Sequence, residues 1–156
     1  MKLLMDADCL IKLTKAGLKD LVGSKLAIFV PEVVKREVVD AGKERACPDA
    51  FMVEKNIDAN VIEIAEAPFN YSKGDEALIT LFHKEKYDAV ATDDAKLIRR
   101  LKVSSVPFIL PGLVIYQLFQ ANMINKKTAN RALEQLAEFI SEDEYSTIRL
   151  LMERKK

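Results

Sequence analysis

Acidic residues directly follow two short apolar runs of the chain. Asp6 comes after the first run, and Thr92, Asp93 and Asp94 come after a run near residue 90. If these runs are neighbouring parallel strands, their carboxyl ends place the acids at one edge of a sheet, although they are far apart in sequence. Carboxylates gathered in this way repel one another unless cations neutralise them. Oxygen ligands without His or Cys suit Mg²⁺ or Mn²⁺ rather than zinc.

Glu37 is a further acid whose position needs explaining. Pro31 can begin a helix whose inward positions are Val33, Val34 and Val38, and Glu37 falls on the same stripe. Burying a carboxylate in a protein interior costs free energy unless a cation pairs with it. The partner of Glu37 is therefore expected to be Lys, Arg or a metal ion.

Asp75 and Glu76 stand after Gly74 in the first turn of another predicted helix, and Asp8 stands at a similar position after the first strand. Acids at helix starts commonly cap free N–H groups and complement the helix dipole. Capping is thus the alternative interpretation for each of these acids, and for Asp94. Taken together, the acids instead predict a metal site that positions water and neutralises charge on a phosphodiester, as in nucleases.

The elements that must position these acids alternate between strands and helices. Strand-length apolar runs occupy residues 3–5, 26–30, 61–64, 89–91 and 106–110, the last interrupted by Pro107 and so expected at an edge. Helical spacing follows near 31–41, 75–86, 112–121, 126–139 and 142–154. This alternation predicts an α/β fold whose parallel sheet is covered on both faces. The C-terminal part is predicted to be a helical extension.

Length and composition favour one domain. The chain has 156 residues, which we divide into an α/β core at 1–110 and a helical extension at 111–156. Lys plus Arg and Asp plus Glu both number 24, which excludes a histone-like binder but not a local basic patch. Two cysteines cannot build a disulfide framework, and no apolar stretch has the length of a membrane span. We therefore expect a cytoplasmic protein.

Four segments in their order along the chain resemble the PIN-domain nucleases: LLMDADCLIKL, PEVVKREVV, GDEALITLF and AVATDDAKLIRRL. The resemblance covers residues 1 to about 100. It implies a three-layer α/β/α fold and Mg²⁺- or Mn²⁺-dependent cleavage of single-stranded RNA. Many such proteins are toxin ribonucleases restrained by an antitoxin protein, so an antitoxin is the partner that the resemblance suggests. We also expect a homodimer, for which the helical segment 111–156 could build the interface.

Carried over position by position, the resemblance makes Asp6 and Glu37 the first two site acids. The third is Asp75, with Glu76 as the alternative, and the fourth is Asp94. The remaining candidates of this motif set are Asp93 as a further metal ligand, Thr92 as a residue that orients water or caps a helix, and Asp8, where the family more often has Ser, Thr or Asn.

Basic residues follow the last acidic motif. The segment AKLIRRLK contains Lys96, Arg99 and Arg100 without an acid, and Lys12 lies on the helix after Asp6. A cationic helix beside a metal site would attract a phosphate backbone. The alternative is an ordinary solvated helix face.

Two other functions fit parts of the sequence. The apolar content of residues 112–151 would suit a catalytically weak module that binds a protein partner through its helical tail. An Asp after the first strand would also suit a phosphatase or response-regulator-like domain. Glu37 has no role in that last interpretation.

Overall fold

Five strands form one parallel sheet in the computed structural model, which describes residues 1–40, 43, 48–58, 61–66 and 74–154. The strands are β1 (Lys2–Met5), β2 (Ala27–Pro31), β3 (Glu63–Ala65), β4 (Ala89–Ala91) and β5 (Phe108–Ile109). Their order across the sheet is β3-β2-β1-β4-β5. The predicted edge position of the run that contains Pro107 is confirmed, because β5 is an outer strand.

Helices connect and extend these strands. They are α1 (Ala7–Lys15), α2 (Lys19–Gly23), α3 (Glu32–Lys35) with a π-helical turn at Arg36–Asp40, α4 (Pro48–Asp58), α5 (Gly74–Lys84), α6 (Ala95–Val103), α7 (Pro111–Gln120), α8 (Lys126–Leu136) and α9 (Glu142–Arg154). The α/β fold with a helical C-terminal part is as predicted. Within the described ranges, none of the helices is long and apolar enough to cross a membrane.

Alternating side chains of the central strand divide the interior into two layers. Leu3 and Met5 belong to the larger core cluster, and Leu4 belongs to the smaller one. Successive residues of a strand point to opposite faces, so both faces of β1 are buried. The smaller cluster also holds Leu78 of α5 and Leu97 of α6. Helices α1, α4 and α7 contribute to the larger cluster on the other face, which gives the three-layer α/β/α arrangement.

The chain changes direction across the sheet between β3 and β4. Strands β1, β2 and β3 follow one another toward one edge, and β4 then returns to the other side of β1. Met5 therefore stands opposite Ala91, and the Asp6 N–H donates to the Ala91 carbonyl at 3.2 Å. Open α/β sheets form ligand crevices at the carboxyl ends of strands where the order reverses in this way.

The helical extension packs back onto the α/β core. Its inward residues join the same cluster as the first strand, and they include Val114, Ile115, Leu118, Leu133, Leu136 and Ile148. Leu110, which precedes α7, supplies no side-chain cap. Glu144 of α9 instead accepts a hydrogen bond from the Gly112 N–H at 2.6 Å. One helix of the extension thus caps the start of another.

Gly112 is placed where a larger residue does not fit. A Cβ atom there would lie 2.9 Å from Glu144 Oε1 and 3.2 Å from Ile148 Cγ1. We expect Gly112→Ala to lower the free energy of unfolding by about 1–3 kcal/mol, because Glu144 must move and leave buried polar groups poorly paired. Denaturant unfolding measures this change. Gln117→Ala, on an exposed position of the same helix, is the matched control, and an equal effect in both variants would contradict the close contact.

Candidate active site

A cavity of about 210 Å³ lies at the carboxyl ends of β1 and β4. Four carboxylates line it: Asp6, Asp8, Asp75 and Asp94. They come from the end of β1, the first turn of α1, the first turn of α5 and the start of α6. The reversal of strand order therefore brings together acids that are distant in sequence, as the strand-end argument predicts. We refer to this space as the acidic cavity.

Asp6 is the buried member of the group, with 7 % of its surface exposed. Its Oδ1 accepts a hydrogen bond from the Cys9 N–H at 2.7 Å, so it caps α1. Its Oδ2 accepts a hydrogen bond from the Thr92 hydroxyl. Burial raises the pKa of Asp6 to about 7; these two hydrogen bonds oppose the rise, and the charges of Asp8 and Asp93 add to it.

Thr92 joins the two strand ends. Its side chain is completely buried, and while its hydroxyl donates to Asp6, the same oxygen accepts from the Asp94 N–H at 3.1 Å. One hydroxyl group thereby fixes the loop after β4 relative to the carboxylate after β1. Thr92 is thus placed to hold the geometry of the site.

Asp94 and Asp93 have different surroundings. Asp94 Oδ1 caps α6 by accepting from the N–H groups of Lys96 at 2.6 Å and Leu97 at 2.9 Å. Its carboxylate also lines the acidic cavity, so capping and a place at the site coexist. Asp93 is outside the lining and forms an ion pair with Lys12. Partial burial lowers the pKa of Lys12, but the hydrogen bond and the charge of Asp93 more than offset this effect and leave it raised.

Asp75 and Glu76 are separated by the helix geometry. Asp75 faces the acidic cavity and forms an ion pair with Arg100, with Oδ2 3.2 Å from Nη1. Glu76 is exposed and lines a neighbouring cavity that also contains Arg99 and Arg100. Of the two candidates for the third acid, Asp75 is the one that lines the acidic cavity, and its role stays a prediction.

The side chain of Glu37 lies outside the described part of the structure. Its backbone belongs to the π-helical turn Arg36–Asp40. Val34, three residues earlier, lines the acidic cavity. The inward stripe predicted around it is confirmed for Val33, Val34 and Val38, which are buried. The role of Glu37 stays a prediction.

The donor chemistry around the acidic cavity suits a hard divalent cation. All four lining acids offer carboxylate oxygens, and Asp6 is buried among negative neighbours that a cation would compensate. Within the described ranges, however, no three His, Cys, Asp or Glu side chains are grouped closely enough to hold a metal. Two of the four carboxylates already have protein partners, since Asp94 caps α6 and Asp75 pairs with Arg100.

Glu144 is a buried acid that the sequence analysis missed. It is 8 % exposed, and burial raises its pKa, an effect that the Gly112 hydrogen bond opposes and the charge of Asp93 increases. Ser141, three residues before it, accepts from the Glu144 N–H at 3.1 Å. Ser and Glu at this spacing mark a capping box, so the motif was visible. The carboxylate, however, caps a different helix.

The described structure is an α/β domain in which four carboxylates converge where the strand order reverses. The family model described as "DUF3368: PIN domain" matches residues 2–154. The chain belongs to this PIN-domain family, as the four motifs indicated. Membership implies a hydrolase of the nuclease class and removes the basis for a response-regulator-like interpretation. Comparison with the curated proteins gave no significant match.

The protonation of Asp6 predicts a pH dependence of stability. The unfolded chain loses this proton near pH 3.8, whereas the folded protein keeps it up to about pH 7. Raising the pH from about 4 to about 7 therefore lowers the free energy of unfolding, by up to about 4 kcal/mol in total. Above about pH 7, Asp6 causes no further loss of stability. Asp6→Asn carries no such proton. In EDTA, the variant should gain stability relative to the parent between pH 4 and pH 8.

Denaturant unfolding at several pH values measures this difference. Asp20→Asn, at an exposed position of α2, is the control and should stay within about 0.5 kcal/mol of the parent at each pH. A difference between Asp6→Asn and the parent that does not change with pH would contradict the buried, proton-retaining carboxylate.

Proposed function

We propose that this PIN-domain protein is a metal-dependent endoribonuclease that hydrolyses phosphodiester bonds of single-stranded RNA. The observation that carries the proposal is the convergence of Asp6, Asp8, Asp75 and Asp94 on one cavity where the strand order reverses. Three other cavities in the described part of the structure are each lined by at most two acids.

The ligand set that we propose is Asp6, Asp75 and Asp94 together with Glu37, and Asp93 as an additional candidate. Carboxylate oxygens favour Mg²⁺ or Mn²⁺. Bound there, either ion would make hydroxide available from water at neutral pH and neutralise charge that develops on the phosphodiester.

The protein's own groups fix the geometry of this reaction. Asp6 is held at both oxygens, by the Cys9 N–H and by the Thr92 hydroxyl, so its carboxylate has little freedom to turn. Thr92 also holds the Asp94 amide, which sets the separation of the two acids. Lys96 and Arg99, both exposed on α6 beside Asp94, are our candidates to bind the RNA backbone, whereas Lys12 is engaged by Asp93.

We also propose a cellular setting for this enzyme. The enzyme would act in the cytoplasm as a homodimer, as the toxin of a pair whose antitoxin protein binds and restrains it. A catalytically weak interaction module is less well supported. Of the apolar tail residues that suggested it, Leu118, Phe119, Leu133 and Leu136 are buried against the protein's own core.

Cleavage of a labelled single-stranded RNA with Mn²⁺ or Mg²⁺ tests the proposal. Asp6→Asn, Glu37→Gln and Asp94→Asn should each lower the cleavage rate by roughly a hundredfold or more, because each removes a charge that we assign to the metal. EDTA should abolish cleavage by the parent. Asp20→Asn is the matched control and should retain the full rate. Equal, EDTA-insensitive rates in parent and variants would overturn the proposal.

Asp75 and Glu76 provide a test within one helical turn. Asp75→Asn should lower the cleavage rate by at least about tenfold, since Asp75 lines the acidic cavity, whereas Glu76→Gln should leave the rate constant at saturating RNA within about twofold. Single-turnover kinetics at saturating RNA measures the cleavage step separately from RNA binding. If Glu76→Gln lowers the cleavage rate more than Asp75→Asn does, Glu76 and not Asp75 is the third site acid.

A further inference from the structure

A second cavity, of about 430 Å³, lies between α5 and α6. It adjoins the acidic cavity, because the consecutive residues Asp75 and Glu76 line the first and the second cavity respectively. Arg100 lines the second cavity and forms its ion pair with Asp75 of the first. A polymer bound across the acidic cavity could continue directly into this groove.

The groove combines charged, hydroxyl and apolar groups. Arg99 and Arg100 supply guanidinium groups, and Thr80 and Ser104 supply hydroxyls. A guanidinium binds phosphate through paired N–H donors, and hydroxyls can donate to or accept from a nucleotide. Asp75 already engages Arg100, so Arg99 is the better candidate for a direct phosphate contact.

The apolar part of the groove is formed by Ile79 and Val103. Val103 is 88 % exposed, more than any other large hydrophobic residue among those described. An aliphatic side chain beside guanidinium groups provides an apolar contact for a base whose phosphate is bound nearby. Small-ligand sites have this character, with apolar walls and a few placed polar groups.

We propose that this groove between α5 and α6 binds one nucleotide of the single-stranded substrate next to the bond that is cleaved. Arg99 holds the phosphate, and the base lies against Ile79 and Val103. This inference rests on the proposed function, since it assigns a substrate position adjoining the same site. Charge complementarity favours nucleic acid, because α6 carries four basic residues and no acid.

Glu76 allows a test in which two substitutions in the groove change RNA affinity in opposite directions. Its carboxylate is exposed in the same groove and repels a phosphate bound by Arg99. Removing the positive charge should weaken RNA binding, and removing the negative charge should strengthen it. If the groove contacted only a base and no phosphate, the two substitutions would not change RNA affinity in opposite directions.

The experiment measures binding of a fluorescein-labelled single-stranded RNA 10-mer by anisotropy in EDTA, where no metal-dependent cleavage occurs. Arg99→Gln should weaken binding about tenfold and reduce the salt slope by about 0.7, as expected for one lost phosphate contact. Val103→Glu should weaken binding, and Glu76→Gln should tighten it severalfold. Two controls outside the groove, Arg131→Gln and Leu150→Glu, should bind within about twofold of the parent.

The same proteins are examined for oligomeric state by sedimentation. If the groove variants bind RNA like the controls, the inference is overturned; if they lose only self-association, the groove is an interface between two copies of the chain. A parent protein that neither binds nor cleaves RNA contradicts the proposed function itself. A parent that cleaves with metal, alongside unaffected groove variants, contradicts the nucleotide subsite alone.

Discussion

The burial of the Asp6 carboxylate is the constraint on which the arrangement of the acidic cavity depends. Asp6 lies at the end of the central strand with its two oxygens held by the Cys9 N–H and the Thr92 hydroxyl. Removing a carboxylate from water is unfavourable, and the surrounding acids make it more so. The strand order places the loop after β4 beside it and thereby supplies Thr92. A divalent cation would provide the compensating charge that these two hydrogen bonds do not.

The helical extension contributes to the same electrostatic arrangement. Glu144 of α9 is buried, caps α7 through Gly112 and interacts with the charges of Asp93 and Lys12. Lys12 and Asp93, which form an ion pair, thus act electrostatically on an acid of the extension. The extension therefore shares the hydrophobic core of the α/β domain and adds one buried acid to the electrostatic surroundings of Asp93.

Much of this arrangement could be predicted from sequence because apolar runs ending in acids mark strand ends. That logic placed Asp6 and Asp94 correctly at one edge of the sheet. The sequence favoured Asp75 and kept Glu76 as the alternative; only the three-dimensional helix shows that Asp75 lines the acidic cavity and Glu76 the neighbouring one. Glu144 was missed because it caps a helix about thirty residues earlier in the chain. Helix α4, with Ala50 and Val53 buried, was not predicted from the sequence.

We propose that the carboxylates of the acidic cavity bind one or more divalent cations. Crystals of the protein soaked in Mn²⁺ and measured for anomalous scattering test it most directly. We predict a peak in the acidic cavity within ligand distance of a carboxylate oxygen of Asp6, with Glu37 or Asp94 as a second ligand. A map in which Mn²⁺ binds only at other surfaces, while the Asp6 carboxylate has no metal neighbour, would contradict the account.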